Sequence, residues 1–495
     1  VASAQIYFRG ELAESAEGAS RREAVRSAWT LRPGERFTQT AWDAAKTAVL
    51  RELTARRYPA GRIYNSLADV DPLTQRAFLT VELDSGDPVR VGAVQVQGAQ
   101  RYGTETPEHL VRLSGLTPGS DYDLETLQDA QQRIADTGLY DSVFVTIEPL
   151  ADGQPAPVLV QVRETLRQKL VLGVGGSTDN GARFSLEHTH HRVPGIGWRA
   201  ISKLQYERDD QVASSDWTSP PDDKGWRWIA GAQVARQIDG FDTTRSERLR
   251  AGRSQENHVL DRSLFLQYDR ARASNSVLDT TPSTESALSA NYAWTQRRFD
   301  QTPFPENGYG LGVELGAGTT LGSVRRPFTR AHTRWRGYWP LGQPDPQANT
   351  SQGAAGARSR LVLRLEGGAL WAQKSAPIPE TQLFLTGGDT TVRGYALRDI
   401  GVPQADGGVS PGRYMAVGSL EWQRPIVRQG VLSPWEHVVF VDVGAVADNM
   451  PDLTPHWGVG TGVRYNSPVG PLQLDLAWGQ KSREWRLHLN VGFSF

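Results

Sequence analysis

The residues able to carry chemistry are sparse and scattered. Gly408-Val409-Ser410-Pro411-Gly412 matches G-x-S-x-G, the pattern of a serine nucleophile on a strand-to-helix turn. That turn needs a helix after the serine. Here Pro411 follows Ser410, and the next segment, RYMAVGSLEWQ, alternates as a strand, so a catalytic serine is not expected. Glu187-His188-Thr189-His190-His191 puts His188 and His190 on one strand face, but two ligands fall short of a metal site, and an interfacial strand end is the better reading. Gly173-Val174-Gly175-Gly176 has the glycine content of a phosphate loop and no helix after it. No carboxylate pair stands out as a general acid and base. The chain is not expected to be an enzyme, and no cofactor or metal is assigned.

One charged residue is harder to place. The stretch TGGDTTVRGYALRDIG (386–401) sets Arg393 among glycines, threonines and a tyrosine, with neither a helix nor a strand period. Two later segments carry carboxylates on a shared face. In GSLEWQRP, Leu420 and Trp422 point one way and Ser419, Glu421 and Gln423 the other. In VVFVDVGAV, Val439, Val441 and Val443 oppose Phe440, Asp442 and Gly444. Carboxylates on an inner wall need a partner, and a guanidinium supplies paired, charge-assisted hydrogen bonds. A loop folding back would bring Arg393 to Glu421 and Asp442, in space left by Gly458, Gly460 and Gly462. Spacing alone also allows three unrelated solvated charges.

The elements that would position these residues are strands. In WRLHLNVGFSF, Trp485, Leu487, Leu489, Val491, Phe493 and Phe495 share one face, opposite Arg486, His488, Asn490, Gly492 and Ser494. PLQLDLAWG sets Leu472, Leu474, Leu476 and Trp478 against Gln473 and Asp475. HWGVGTGVRY and WRAISKLQYER alternate likewise. A soluble sandwich alternates too, but the aromatic ends of these faces and the final Phe495 favour a membrane barrel. Residues 167–495, at about twenty per strand and connection, give about sixteen antiparallel strands. A barrel must close, because backbone groups left unpaired against lipid are costly.

Composition agrees with a chain of two characters. Only Trp29 and Trp42 of 15 tryptophans precede residue 167, and tryptophan favours membrane–water interfaces. No run of eighteen apolar residues occurs, so a helical span is excluded. The net charge of −1, without a basic block, argues against nucleic acid as a partner. Cysteine is absent, which removes disulfides and thiolate sites.

The front of the chain repeats. Leu31-Arg-Pro-Gly34 precedes Phe37 and a helical run in which Trp42, Val49 and Leu53 share a face. Leu116-Thr-Pro-Gly119 precedes Tyr122 and a second run with Leu124, Leu127 and Ile134, stopped at Gly138. Alternating stretches follow each, and VRVGAVQVQG opens the second unit. Two small α/β modules are expected, over 1–86 and 87–166, as docking or structural units. The barrel is expected over 167–495, with a loop over 386–412 folded inward. TPFPENGYG (302–310) is expected as a short turn on the modules' side of the membrane.

GGDTTVRGY resembles the conserved loop motif of the BamA/TamA superfamily of outer-membrane assembly factors. FVDVG (440–444), GVRYNSPVGPL (462–472) and HLNVGFSF (488–495) resemble its strand motifs and C-terminal β-signal, and the two modules resemble POTRA domains. RRYPAGRI, PFPENGY and VRGYALRDIG place the resemblance nearest the TamA branch. That branch carries three POTRA domains and this chain shows two, so two-partner secretion transporters are the second reading, and a passive channel or lipid conduit a third. The resemblance implies a non-enzymatic subunit in the bacterial outer membrane with periplasmic POTRA domains. It would insert unfolded barrel clients such as autotransporters, with a TamB-like, inner-membrane-anchored partner. It implies a lumen lock of Arg393, Gly394, Tyr395, Glu421 and Asp442. It also implies a lateral seam between about 169–176 and 485–495, thinned by Gly173, Gly175, Gly176 and Gly492 and ended by Phe495.

Overall fold

The structure, a computed structural model, describes all residues except 16–17, 149, 151–153, 178–180, 241, 258, 278–281, 301–303, 343–358, 406, 429–430, 468–469 and 492–495. The chain divides into two compact units, Val1–Leu166 and Arg167–Phe495.

The first unit holds two modules of one layout. The first runs β1 (Ser3–Arg9), α1 (Glu11–Glu14), α2 (Ala19–Ser27), α3 (Gln39–Ala55), β2 (Arg62–Asp71) and β3 (Arg76–Asp84). The second runs β4 (Val91–Gln97), α4 (Glu105–Leu113), α5 (Leu124–Asp136), β5 (Tyr140–Ile147) and β6 (Ala156–Glu164). Each three-stranded sheet has its first strand parallel to its last, with the middle strand of the sequence on the far edge. Thr38 caps α3 by accepting from Ala41 N–H, and Asp123 caps α5 by accepting from Glu125 and Thr126 N–H. Trp42, Ala45, Val49 and Leu53 of α3 are buried against Leu79, Val81 and Leu83 of β3. Leu127, Ala130 and Ile134 do the same against β5 and β6. The residues ahead of Arg21 complete the first module with β1 and α1. Their AQIYFR alternation is the sign of that edge strand.

The second unit is one sixteen-stranded antiparallel sheet. Its first eleven strands are β7 (Gln168–Ser177), β8 (Gly181–His190), β9 (Arg199–Tyr206), β10 (Asp210–Thr218), β11 (Trp226–Asp239), β12 (Asp242–Gln255), β13 (Leu260–Asn275), β14 (Ser283–Phe299), β15 (Gly308–Leu321), β16 (Pro327–Leu341) and β17 (Ser359–Ala372). A long connection, 373–413, carries a two-residue hairpin of β18 (Val402–Pro403) and β19 (Val409–Ser410). The sheet resumes with β20 (Tyr414–Arg428), β21 (Val431–Ala447), β22 (His456–Ser467), β23 (Gly470–Gly479) and β24 (Trp485–Val491). The expected sixteen strands are present, and the inward connection starts earlier than expected, at 373 rather than 386.

Alternation sorts the two faces. Leu472, Leu474, Leu476, Trp457, Val459, Leu487 and Leu489 are exposed on the outside, while Asp475, Arg464 and His488 between them are buried inside. An exposed apolar surface that continues from strand to strand suits lipid rather than water. Chain direction puts 373–413 at the end of the barrel opposite to where β7 begins, and the β14–β15 turn carrying PFPENGY at the same end as that start. His188 and His190 close β8 at that end, with rings 6.4 Å apart and His188 Nε2 3.3 Å from Gln168 Oε1.

Tyr58 gives the first module a pH signature. Its ring is fully buried and its hydroxyl hydrogen-bonds the Glu11 carboxylate. Burial, then the Glu11 hydrogen bond and charge, push the phenol up to about 12. A phenol that holds its proton more tightly folded than unfolded stabilises the fold at neutral pH. That contribution is lost as pH rises from about 10 through the folded value. Ultraviolet titration should show one tyrosine ionising near pH 12, moved downward by Glu11→Gln; a chain whose tyrosines all ionise near 10 would contradict this.

Candidate functional site: a charged clamp in the barrel lumen

The connection 373–413 folds back onto the inner wall. Phe384, Val392, Tyr395 and Ile400 form a buried cluster with Phe328, Leu370, Met415, Val417 and Val446 of the strands. This apolar bed carries Arg393 into the lumen wall at 2% exposure, where a lone charge would be prohibitively costly.

Arg393 is instead surrounded by acceptors. Its Nε donates to Asp442 Oδ2 at 2.7 Å and its Nη2 to Asp442 Oδ1 at 2.9 Å, a bidentate pair with a fully buried carboxylate. Nη2 also lies 2.7 Å from Glu421 Oε1, and Nη1 donates to Asp475 Oδ2 at 2.9 Å. The Arg393 backbone N–H adds a bond to Asp442 Oδ2 at 3.0 Å. Ser419 Oγ donates to Asp442 Oδ1 at 2.6 Å and accepts from Arg393 Nη2 at 3.3 Å. The guanidinium carbon sits 3.4 Å above the centre of the Phe440 ring. Arg464 shares the acids, binding Asp475 through both terminal nitrogens and lying 3.7 Å from Glu421. Two arginines thus face three carboxylates in one buried network.

The neighbours of Arg393 are fixed as well. Gly394 has φ 93, a conformation that disfavours other residues, and its N–H donates to His488 Nε2 at 3.0 Å. That bond needs an unprotonated Nε2. Tyr395 OH donates to the Trp457 carbonyl at 3.0 Å and accepts from Lys481 N–H at 3.0 Å. The three glycines expected to leave room do so for different groups. A Cβ at Gly458 would strike the Arg393 carbonyl, one at Gly460 the Phe440 ring, and one at Gly462 the Asp475 carboxylate.

The structure therefore brings together Arg393, Gly394, Tyr395, Glu421 and Asp442, and adds Asp475, Arg464, Ser419, Phe440 and His488. Asp475, Arg464 and His488 occupy inward positions of strands whose alternation is plain, so the test that selects Glu421 and Asp442 would also select them. A second anchor, absent from the sequence reading, lies across the lumen. Arg398, at φ 60, donates to Asp210 at 2.7 Å and to Asp239 at 3.1 Å, at the ends of β10 and β11. Gln404 donates to Asp242 at 2.8 Å, and Thr244 of β12 bonds Glu380 of the loop. Ser410, the serine of the G-x-S-x-G match, lies in β19 and directs Oγ to the Val402 carbonyl at 3.4 Å.

At the seam, β7 pairs only with β8 and β24 only with β23 among the described residues, though the two edges approach to within 8 Å. Gly173, Gly175 and Gly176 lie in β7, whereas Gly492 and Phe495 lie outside the described residues.

Comparison with known proteins fits this architecture. The Omp85 superfamily domain matches residues 168–495, the whole of the barrel strands. The chain belongs to the Omp85 superfamily. A POTRA domain, described as the surface antigen variable number repeat, matches 89–165, the second module. Two curated relatives are similar over part of the chain, the chloroplastic outer envelope protein 80 of Arabidopsis thaliana and that of Oryza sativa subsp. japonica. Each is 32% identical, over 145 and 157 residues, which are 27% and 30% of this chain. The matches span 17% and 21% of those relatives' length. The crystal structure of BamA from Haemophilus ducreyi lacking POTRA domains 1–3 matches with TM-score 0.68 at 15% identity, covering 99% of this chain and 98% of that one. CdiB from Acinetobacter baumannii matches with TM-score 0.55 at 13% identity, covering 99% and 89%. These likenesses show the fold. The chain is an Omp85-family outer-membrane protein, and Omp85 relatives carry such barrels with POTRA domains ahead of them.

Truncating Arg393 would take the bidentate partner from the fully buried Asp442 and leave Glu421 and Asp475 to share Arg464. Removing one partner of a buried ion pair costs about 3–5 kcal/mol. Arg393→Ala should therefore lower the temperature at which the barrel loses its compact, heat-modifiable form on gels. Arg393→Lys should not restore it, since a point charge cannot serve Asp442 bidentately and reach Asp475 and Glu421 together. Wild-type heat resistance in both variants would remove the clamp from any stabilising role.

Proposed function

We propose that this Omp85 protein is an assembly subunit of the bacterial outer membrane, inserting β-barrel clients such as autotransporters through the seam between β7 and β24. The observation that carries this reading is the pair of sheet ends that no ladder joins among the described residues, spanned from inside by one loop. Arg393 and Gly394 hold that loop to β20, β21, β23 and β24, on one side of the seam. Arg398 and Gln404 hold it to β10, β11 and β12, on the other. The loop thus acts as a lock, and the edge strands as a place where a client strand pairs by β-augmentation. Gly173 and its neighbours thin the β7 edge, because interior glycine weakens a strand.

We read 1–86 and 87–166 as two POTRA domains in the periplasm and 167–495 as the barrel. The edge strand β2 presents Tyr64 and Leu67 to solvent, and an extended segment of a TamB-like, inner-membrane-anchored partner would pair there. The two modules ahead of the barrel also favour a second reading, a two-partner secretion transporter passing an unfolded chain through the lumen.

The chain has no cysteine, so an engineered pair gives a clean crosslink. One cysteine in β7 and one in β24, scanned for the pair that oxidises, should block client insertion in reconstituted membranes and release it on reduction. Insertion that continues across the closed bridge would sink the seam reading. Single-channel recording separates the second reading: a locked assembly barrel should conduct little, whereas a large steady pore would favour export through the lumen. A third variant, Arg398→Ala, should raise the frequency of brief openings while leaving Arg393 and its acids in place; an unchanged trace would deny the loop its second anchor.

A further inference from the structure

The outward face of the barrel changes character around its far end. At the end that carries the long loop, Trp371 of β17, Trp457 of β22 and Trp485 of β24 face outward and are exposed. An aromatic ring with a wet edge is the usual residue at a membrane surface. On β11, β12 and β13 the same end carries arginine. Along β13 the outward positions run Leu264, Leu266, Tyr268, Arg270 and Arg272, and along β11 they run Trp228, Ala230, Ala232, Val234 and Arg236. From Trp228 to Arg236 the strand rises about 27 Å, or about 19 Å across a bilayer at a tilt of about 45°. The apolar band of such barrels is about 25 Å tall, so the length of the Arg236 side chain carries its charge to the far headgroup layer.

The ladder sets these arginines side by side. Arg236 stands opposite Arg245 of β12, and Arg245 opposite Arg272 of β13. Side chains so placed are about 5 Å apart at Cβ, and like charges there repel. Two residues along, Glu247 stands opposite Arg270, with Arg270 Nη1 3.5 Å from Glu247 Oε2. Among the described residues no carboxylate forms an ion pair with Arg236, Arg245 or Arg272. The four arginines line a groove of about 1030 Å³ together with Leu172, Val174, Phe184, Leu204, Tyr206 and Val234, all exposed on the outward face. Glu247 is the one carboxylate in that lining among the described residues.

We propose that the arginine row and the groove hold a bisphosphorylated glycolipid of the outer leaflet, its phosphates on the arginines and its acyl chains along the apolar lining. A charge on the lipid face is costly away from the headgroup layer, and guanidinium forks match phosphate oxygens in pairs. An anion seated on Arg236, Arg245 and Arg272 relieves the repulsion along their row. That row spans three adjacent strands, about 10 Å, wider than one phosphate, so a headgroup with two phosphates satisfies it better than a single phosphodiester. The outer leaflet is assigned on the reading that the two modules lie in the periplasm. The binding itself does not depend on the seam.

Native mass spectrometry of the full chain released from detergent tests the site with two probes, bisphosphorylated lipid A and dioleoyl phosphatidylglycerol. Lipid A should bind saturably and more tightly than phosphatidylglycerol. Arg245→Gln and Arg272→Gln should each weaken lipid A binding roughly tenfold or more, the loss of charge-assisted hydrogen bonds. Arg424→Gln, at an outward position of β20 toward the other end of the barrel, should leave it unchanged. All three arginines face outward, and all three variants should keep the compact form on gels. Lipid A binding that does not saturate, equal binding by wild type and both row variants, or phosphatidylglycerol bound as tightly as lipid A would overturn the proposal. Binding is read without a client, so its failure leaves the insertion reading standing, and failure of insertion leaves this site in place.

Discussion

A guanidinium taken out of water has to be neutralised where it sits, and the barrel is arranged around that demand. The ladder shows how. Ser419 of β20 stands opposite Asp442 of β21, and Asp442 opposite Gly458 of β22. One row along, Glu421 stands opposite Phe440, Phe440 opposite Gly460 and Gly460 opposite Ala477. In the next row Gly462 stands opposite Asp475, and Asp475 opposite His488. Acids, an aromatic floor and glycine hollows lie in neighbouring rows, so one arginine descending on them meets all at once. A slip of one residue in any of these strands would turn its acid toward lipid. The clamp therefore specifies register as well as holding the loop.

The same demand explains why the loop is so long. It has to leave β17, lay Phe384 and Val392 on an apolar bed, deliver Arg393 to the late strands and still reach the early ones with Arg398. The early and late strands are neighbours around the barrel only through the seam, where no ladder joins β7 to β24 among the described residues. Cross-lumen bonds made by the loop substitute for part of what a ladder would supply. The constraint is located in side chains, which can be released one at a time, rather than in a continuous backbone ladder.

Much of this is legible in the sequence because period two survives in the strands. The apolar faces of 457–465, 472–478 and 485–491 and the inward placement of Glu421 and Asp442 follow from alternation alone. So do the helical faces of Trp42, Val49 and Leu53 and of Leu127 and Ile134. Asp475 is legible by the same rule, since it alternates with the outward Leu474 and Leu476, but its strand's spacing does not relate it to residue 393. Arg398 was not legible. Its partners, Asp210 and Asp239, stand at strand ends where alternation gives way to turns, and nothing in their spacing relates them to residue 398. Likewise β1 hides in a short stretch whose pairing partner, β3, lies some seventy residues on, at Phe78–Asp84.

A buried ionic clamp is a weak choice if stability is the only aim, since apolar packing of the same volume often holds as well. It differs from apolar packing in its response to water. Charge attraction falls steeply as the effective dielectric rises, so Arg393 and its acids grip while the lumen wall is dry and loosen when water enters. Apolar contacts between Val392, Tyr395 and the strands respond the other way, becoming favourable because water is present. On the proposed reading, parting the seam admits water beside β23 and β24, where Asp475 and His488 lie, and weakens the grip of the late strands on the loop. The apolar bed would keep the loop from leaving the lumen altogether. Opening and unlocking then favour each other without a separate trigger, and re-drying of the wall restores both.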